Sequence, residues 1–223
     1  MQRTCLAQRR LPDYTRGEEI FNMVSHIVGG GIGVLILAAA VLYSALCLDV
    51  WAVVGSSVYG ASMVLLYTMS SVYHGLKNGT AKKVMQVLDH CTIYFLIAGT
   101  YTPILLGAMR REYPIIAWTV LGIQWGLTAL AVTLTAIDLK KYSKFSFSCY
   151  IGMGWCIIAA AVLTVRALTL PGFLWILAGG IAYTLGAVFY GVGKNIRYMH
   201  SVFHIFVVIG SVLQFFGVFF YAL

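Results

Sequence analysis

The sequence predicts an all-α, polytopic membrane protein: a bundle of seven transmembrane helices, with the N-terminus cytoplasmic and the C-terminus outside. The first observation is composition. Of 223 residues, 61% are hydrophobic and only 10% are charged, with a mean hydropathy of +0.88, whereas about a quarter of a soluble domain is charged. The second is where the charges are missing. Seven stretches (20–48, 50–76, 90–109, 113–137, 145–165, 167–193 and 198–223) contain no Asp, Glu, Lys or Arg, and each holds at least 20 residues. A helix needs roughly 20 apolar residues to cross the hydrocarbon, and a charge at its centre costs about 2.5–3.5 kcal/mol. The runs do not alternate polar and apolar residues, which excludes a membrane β-barrel. The third observation is the side on which Lys and Arg fall. Twelve of them (Arg3, Arg9, Arg10, Arg16, Lys77, Lys82, Lys83, Lys140, Lys141, Lys144, Lys194 and Arg197) lie on the N-terminal side, against Arg110, Arg111 and Arg166 on the other. Positive loops stay in the cytoplasm. The net charge of +8 is therefore a topology signal, and its spread over short loops argues against nucleic acid as a partner.

The elements follow in order. Residues 1–19 are a short basic cytoplasmic tail, and 20–223 form the membrane domain. No cleavable signal peptide is expected, since the first apolar run is long enough to span, and no soluble domain is expected beside the bundle. Asp49 alone, with its neighbours, separates the first two runs, so these form a tight antiparallel hairpin. Gly29-x-x-x-Gly33 and Gly122-x-x-x-Gly126 put small residues on one helix face, which permits close backbone approach. Pro103 within the third run predicts a kink, with the freed carbonyl satisfied by Thr100 or water. The turn between the fifth and sixth runs is expected at Arg166. Cys5, Cys47, Cys91, Cys149 and Cys156 have no paired spacing, and read as small buried hydrophobes rather than a disulfide or Cys-type zinc framework.

Placed on this topology, all five histidines fall at the cytoplasmic ends: His26 in the first helix, His74 in the second, His90 in the third, His200 and His204 in the last. Ser70 lies four residues before His74, on the same face. Glu19, Asn22 and His26 share another face, and Asp89 sits at the mouth of the third helix. Ionisable groups inside membrane segments are functional candidates. Histidines at i and i+4 can bind one ion, and a catalytic zinc takes three protein ligands plus a water. His200, His204 and a third histidine from another helix would meet that need. A carboxylate such as Asp89 would then act as base toward an activated water, with Ser70 hydrogen-bonding a ligand, the water or a substrate. The structural alternatives remain open at this level. An interfacial His can be an anchor, Asp89 can answer the dipole of its helix N-terminus, and Ser70 can be a packing hydroxyl.

Glu19-x-x-Asn22-x-x-x-His26, Ser70-x-x-Tyr73-His74, Asp89-His90 followed by "AGTYTP", and His200-x-x-x-His204, in that order, make the chain similar to the hemolysin III family. These are bacterial seven-helix membrane proteins related to the progestin and adipoQ receptors and, more distantly, to alkaline ceramidases. The resemblance runs from about Gly17 to the C-terminus. It implies a zinc ion held by His74, His200 and His204 near the cytoplasmic face, Asp89 contacting the zinc-bound water, and Ser70 just behind; His90 is not a ligand in the family pattern. It implies a multi-pass protein of the bacterial plasma membrane. Three functions follow as expectations. The first is a zinc-dependent hydrolase of a lipid amide or ester, its lipid substrate entering from the bilayer. The second is a cytolytic pore. The third is a signalling or sensing protein with a structural zinc. Polar residues clustered at one end favour the first over a pore, to which only Gln124 and Gln214 contribute at mid-helix.

Overall fold

The computed structural model describes Thr4 and residues 6–47, 49–193 and 196–223; Arg3, Cys5 and Lys194, counted above, lie outside the described residues. Among the described residues all regular structure is helical. The described residues form seven long helices: α1 (Arg16–Leu46), α2 (Val50–Gly75), α3 (Thr80–Ile104), α4 (Pro114–Ile137), α5 (Ser143–Ala159), α6 (Ala161–Val192) and α7 (Met199–Tyr221). Six are long and apolar enough to cross a membrane; α5, with 17 residues, is the shorter one. Large apolar side chains face outward along them, with Leu35 71% and Ile115 81% exposed, which suits lipid rather than water as the surrounding solvent.

Two helices start earlier than the charge-free runs imply. Thr15 opens α1 with a capping box: Glu18 N–H donates to Thr15 Oγ1 at 3.3 Å, and Thr15 N–H to Glu18 Oε2 at 2.8 Å. Glu18 and Glu19 thus sit in the first turn, where a carboxylate complements the helix dipole. α3 starts at Thr80, ten residues before the apolar run. Lys82 and Lys83, read as loop charges from sequence, are therefore helical. Asp49 caps α2 as the tight hairpin requires, accepting from the N–H groups of Trp51 and Ala52 at 2.9 and 3.1 Å.

Pro103 lies inside α3, but Thr100 donates its hydroxyl to Leu96 O and Thr102 to Ala98 O, so Thr100 does not serve the freed carbonyl. The irregularity falls just beyond, in a π-helical stretch, Leu105–Met109, where Gly107 leaves helical geometry (φ −81°, ψ −110°). There Ala108 N–H donates to Ala222 O at 3.1 Å, tying the end of α3 to the C-terminus. Arg111 tightens the same end, reaching Asp49 Oδ2 at 2.6 Å and Leu223 O at 3.3 Å. That guanidinium holds the Asp49 carboxyl below the usual carboxylate range. The turn expected at Arg166 falls instead at Thr169 (φ 63°, ψ 166°), where two helical stretches within α6 meet just ahead of Pro171. Pro171 lacks the N–H that a continuous helix would direct back to Ala167 O, so no hydrogen bond across the break is lost at that position.

The small-residue faces divide. Gly29 meets the Tyr67 ring and Gly33 meets Met63 and Val64, so this pair does join α1 to α2. Around Gly122 and Gly126 a Cβ would meet nothing within 4 Å, so that pair joins no helix among the described residues. At Gly55 a Cβ would lie 2.7 Å from Pro103 Cα, which is backbone and cannot step aside. Gly55→Ala is therefore expected to destabilise by about 1–3 kcal/mol. Gly122→Ala is expected to be neutral or to stabilise by up to about 1 kcal/mol through helix propensity. Thermal unfolding of the two variants in one detergent checks the opposite signs.

Buried polar groups mid-bundle are spent on helix pairing. Tyr67 donates to Ser211 Oγ at 2.8 Å, Tyr183 and Ser211 share a hydrogen bond at 2.7 Å, and Tyr59 reaches Ser211 O at 3.2 Å. These bonds join α2, α6 and α7. Gln124 donates its amide to Met153 O at 3.0 Å and touches Cys156 Sγ, joining α4 to α5. Cys47, Cys91, Cys149 and Cys156 are free thiols.

Candidate metal centre

The end of α2 and the start of α7 meet at the end of the bundle where α1 begins. There three imidazoles converge. His200 Nε2 lies 3.3 Å from His74 Nε2 and 3.1 Å from His204 Nε2. One ligand atom from each falls within 4.8 Å of the others, a set that could hold a metal ion. His74 is sealed, with 0% of its side chain exposed. Its Nδ1 lies 2.7 Å from Glu19 Oε2, and a carboxylate only accepts, so Nδ1 carries the proton and Nε2 presents a lone pair to the cluster. His200 Nδ1 has no hydrogen-bond partner among the described residues, so its ring meets the other two through Nε2. A cation at the centre would accept the lone pairs of the three rings together.

The first turns of α1 hold the cluster without contributing to it. Glu18 Oε1 accepts from Tyr198 N–H at 2.6 Å, fixing the start of α7. Ser201 donates to Asn22 Oδ1 at 2.6 Å. His26 stacks on the His204 ring with centroids 3.7 Å apart, and neither of its nitrogens finds a partner among the described residues. Tyr14, ahead of α1, stacks on His200 at 4.9 Å and closes the site from that end. Burial, then the nearby Tyr190, Tyr73, Glu19 and Asp89, raise its pKa, so Tyr14 is a neutral phenol there.

Behind the histidines opens a cavity of about 200 Å³. Ser70, Asp89, His200 and His204 line its polar end, Gln214 lies toward the other, and the walls between are apolar, as at Ile93, Ile97, Phe147 and Val207. From His200 to Gln214 is about 20 Å along α7 at 1.5 Å per residue. Gly154 and Gly180 border the cavity facing open space. Asp89 keeps 14% of its side chain accessible, and Ser70 lines the same end of the cavity. Because α3 begins at Thr80, Asp89 lies in the third helical turn rather than at the N-terminus. A dipole contact, which fades within the first turn, does not account for it. His90 turns its Nδ1 to Gln86 O at 2.8 Å and stays outside the three-histidine set.

Ser70, His74, Asp89, His200 and His204 are thus brought to one place. Sequence reasoning missed Lys82 and Tyr14. Lys82 is 2% exposed and lies 2.7 Å from Glu19 Oε1; nothing in a sequence pairs residues this far apart. Tyr14 lay in the segment read as tail. That segment is pinned by Asp138, which accepts from Thr4 N–H at 2.7 Å and from the N–H groups of Lys141 and Lys140 at 3.0 and 3.1 Å. The Thr4 contact first, then these two, hold the Asp138 pKa down from 3.8 to about 2. The stability this gives is complete above the unfolded value and is lost as pH falls toward the folded one. Wild type is expected to lose more thermal stability between pH 5 and 2.5 than Asp138→Asn, whose amide oxygen accepts at every pH; scanning calorimetry in detergent reads the difference.

Fold and site together define a multi-pass membrane protein of the cell membrane, with a candidate metal centre at one end of a helical bundle. The Haemolysin-III related family model matches residues 14–215, and the chain belongs to this family. It is 38% identical over 206 residues to Hemolysin-3 of Bacillus cereus, covering 92% of each chain. It is 34% identical over 208 residues to the Hemolysin-3 homolog of Bacillus subtilis (strain 168), covering 93% of this chain and 96% of that one. More distantly, it is 25% identical over 177 residues to the human Monocyte to macrophage differentiation factor, covering 76% of this chain and 71% of that one. No solved structure matches.

Proposed function

We propose that this protein is a zinc-dependent hydrolase of a lipid amide or ester. The observation that carries it is an apolar cavity whose polar end is lined by His200 and His204, two of the three convergent histidines, with the Asp89 carboxyl and the Ser70 hydroxyl. The donor set fits zinc. Tetrahedral coordination with Zn–N of 2.0–2.1 Å separates ligand nitrogens by about 3.3–3.4 Å, and two of the pairs stand at 3.3 and 3.1 Å. Three imidazoles suit this ion and leave a fourth position open. Zinc supplies Lewis acidity toward a carbonyl and lowers the pKa of a water to about 7. The chain does the rest. Asp89 accepts the proton as the water's oxygen adds to the substrate carbonyl, and returns it to the departing nitrogen or oxygen as that bond breaks. Ser70 orients the Asp89 carboxyl. The apolar walls take the acyl chain and exclude bulk water.

The same proposal includes seven spans. As one straight rod α6 would measure about 48 Å at 1.5 Å per residue, against a hydrocarbon core of about 30 Å. Broken at Thr169, its first eight residues extend α5 and the remainder spans alone. With an odd count, the twelve-to-three bias of Lys and Arg supports a cytoplasmic N-terminus and metal centre. A lipid would enter sideways from that leaflet, past the α5–α6 wall that the Trp155 Nε1 to Thr184 Oγ1 hydrogen bond of 2.9 Å bridges.

The test is release of fatty acid from N-acyl and O-acyl lipids in mixed micelles by purified protein, followed by mass spectrometry with and without a chelator. Chelator-sensitive release is expected; no release from either lipid class overturns the proposal. A pore gains little from the geometry, because the Gln124 amide N–H is spent on α5.

A further inference from the structure

We infer that Glu19, backed by Lys82, is a positioning residue for the metal centre: it fixes the proton and pose of His74 so that Nε2 faces the site. This rests on the metal reading above. Glu19 divides its two oxygens, Oε2 at 2.7 Å from His74 Nδ1 and Oε1 at 2.7 Å from Lys82 Nζ. The three residues come from three helices, α1, α2 and α3. An outer carboxylate of this kind orients a ligating histidine and raises its basicity. A bare carboxylate beside a sealed histidine would also carry an uncompensated charge toward a cation-binding centre. Lys82 cancels that charge, and is itself satisfied by Leu76 O at 3.0 Å and by the Tyr73 ring, 5.0 Å from its Nζ. The pair is therefore neutral in sum, and Asp89 is left as the carboxyl facing the cavity. It also gives the opening Glu-x-x-Asn motif a role: Glu19 sets the His74 ring while Asn22, one turn on, holds α7 at Ser201.

A purely structural clasp between α1, α2 and α3 would use the same contacts, so the test must separate the two. Zinc affinity is measured by chelator competition on purified wild type, Glu19→Ala and Lys82→Met, with thermal unfolding of the metal-free proteins beside it. Glu19→Ala is expected to weaken zinc binding about 10–100-fold, and Lys82→Met, which keeps the acceptor, only a few-fold. Equal losses in the two variants, or wild-type affinity in a folded Glu19→Ala, overturn the inference. If Glu19→Ala fails to fold, the neutral pair Glu19→Gln with Lys82→Met carries the test; about a tenfold loss is expected, and wild-type affinity overturns it. If wild type binds no zinc, the metal reading fails by itself. The inference is then decided by ¹⁵N shifts of His74, assigned by deletion: Nδ1–H in wild type and a mixed tautomer in Glu19→Ala support it, and no change refutes it.

Discussion

Wild-type protein purified in mild detergent is expected to carry about one zinc per chain, and His200→Ala with His204→Ala to carry none. The two rings sit four residues apart on α7 and supply two of the three converging nitrogens, at 3.3 and 3.1 Å. Removing both leaves His74 alone, and one imidazole cannot hold zinc against a chelator when a site of this kind requires three protein ligands. The measurement is metal per chain by mass spectrometry, with helix content checked by circular dichroism so that an unfolded variant is not mistaken for an empty one. The loss should exceed the effect of any single outer contact, because ligand removal forfeits coordination bonds whereas an outer contact tunes them. A folded wild type free of metal would return both histidines to packing roles. The close approach of three Nε2 atoms would then need protons to explain it.

Asp89→Asn is expected to keep the zinc and lose the hydrolysis. Asn matches Asp in shape, but it cannot take a proton from water at neutral pH. General-base contributions run to about 10²–10⁴-fold in rate, so kcat should fall by that order while metal content stays at the wild-type level. The three histidines make no contact with Asp89 that coordination requires; it stands outside the convergent set. Fatty-acid release and metal content, measured on the same preparation, give the answer. Loss of metal along with activity would make Asp89 a ligand or a fold determinant. Full activity in the variant would remove it from the chemistry and leave the zinc a structural role at the junction of α2 and α7.

Much of the site was legible because membrane segments exclude charge. In a chain where a charged residue is costly, Asp89 and the histidine pair on α7 stand out against their surroundings. The helical repeat alone puts His200 above His204 and Ser70 below His74. Helix starts were less legible. Charge exclusion marks where hydrocarbon begins, not where hydrogen bonding begins, so α1 and α3 extend into polar sequence at Arg16 and Thr80. That shift moved Asp89 from a helix terminus to a helix interior, and turned Lys82 from a loop charge into a buried partner of Glu19. The two glycine pairs show the same limit. Both have the spacing for close approach, but only Gly29 and Gly33 have a neighbour to approach.

The sequence by itself determined the solvent, the number of apolar runs, the end of the molecule that carries the polar chemistry, and the family. Those follow from composition and from periodicities of a few residues, which act locally and need no partner. The residues alone left the third histidine open and the family resemblance implied His74; the tertiary structure brings it, 126 residues from His200, to the pair, and it alone decided that Glu19 and Lys82 stand behind it, that Tyr14 covers it, and that an apolar cavity opens beside Asp89. Each of these depends on which helix faces which. Helix faces are chosen by packing summed over the whole bundle, so the pairing of distant side chains is a property of that sum and is written in no single segment.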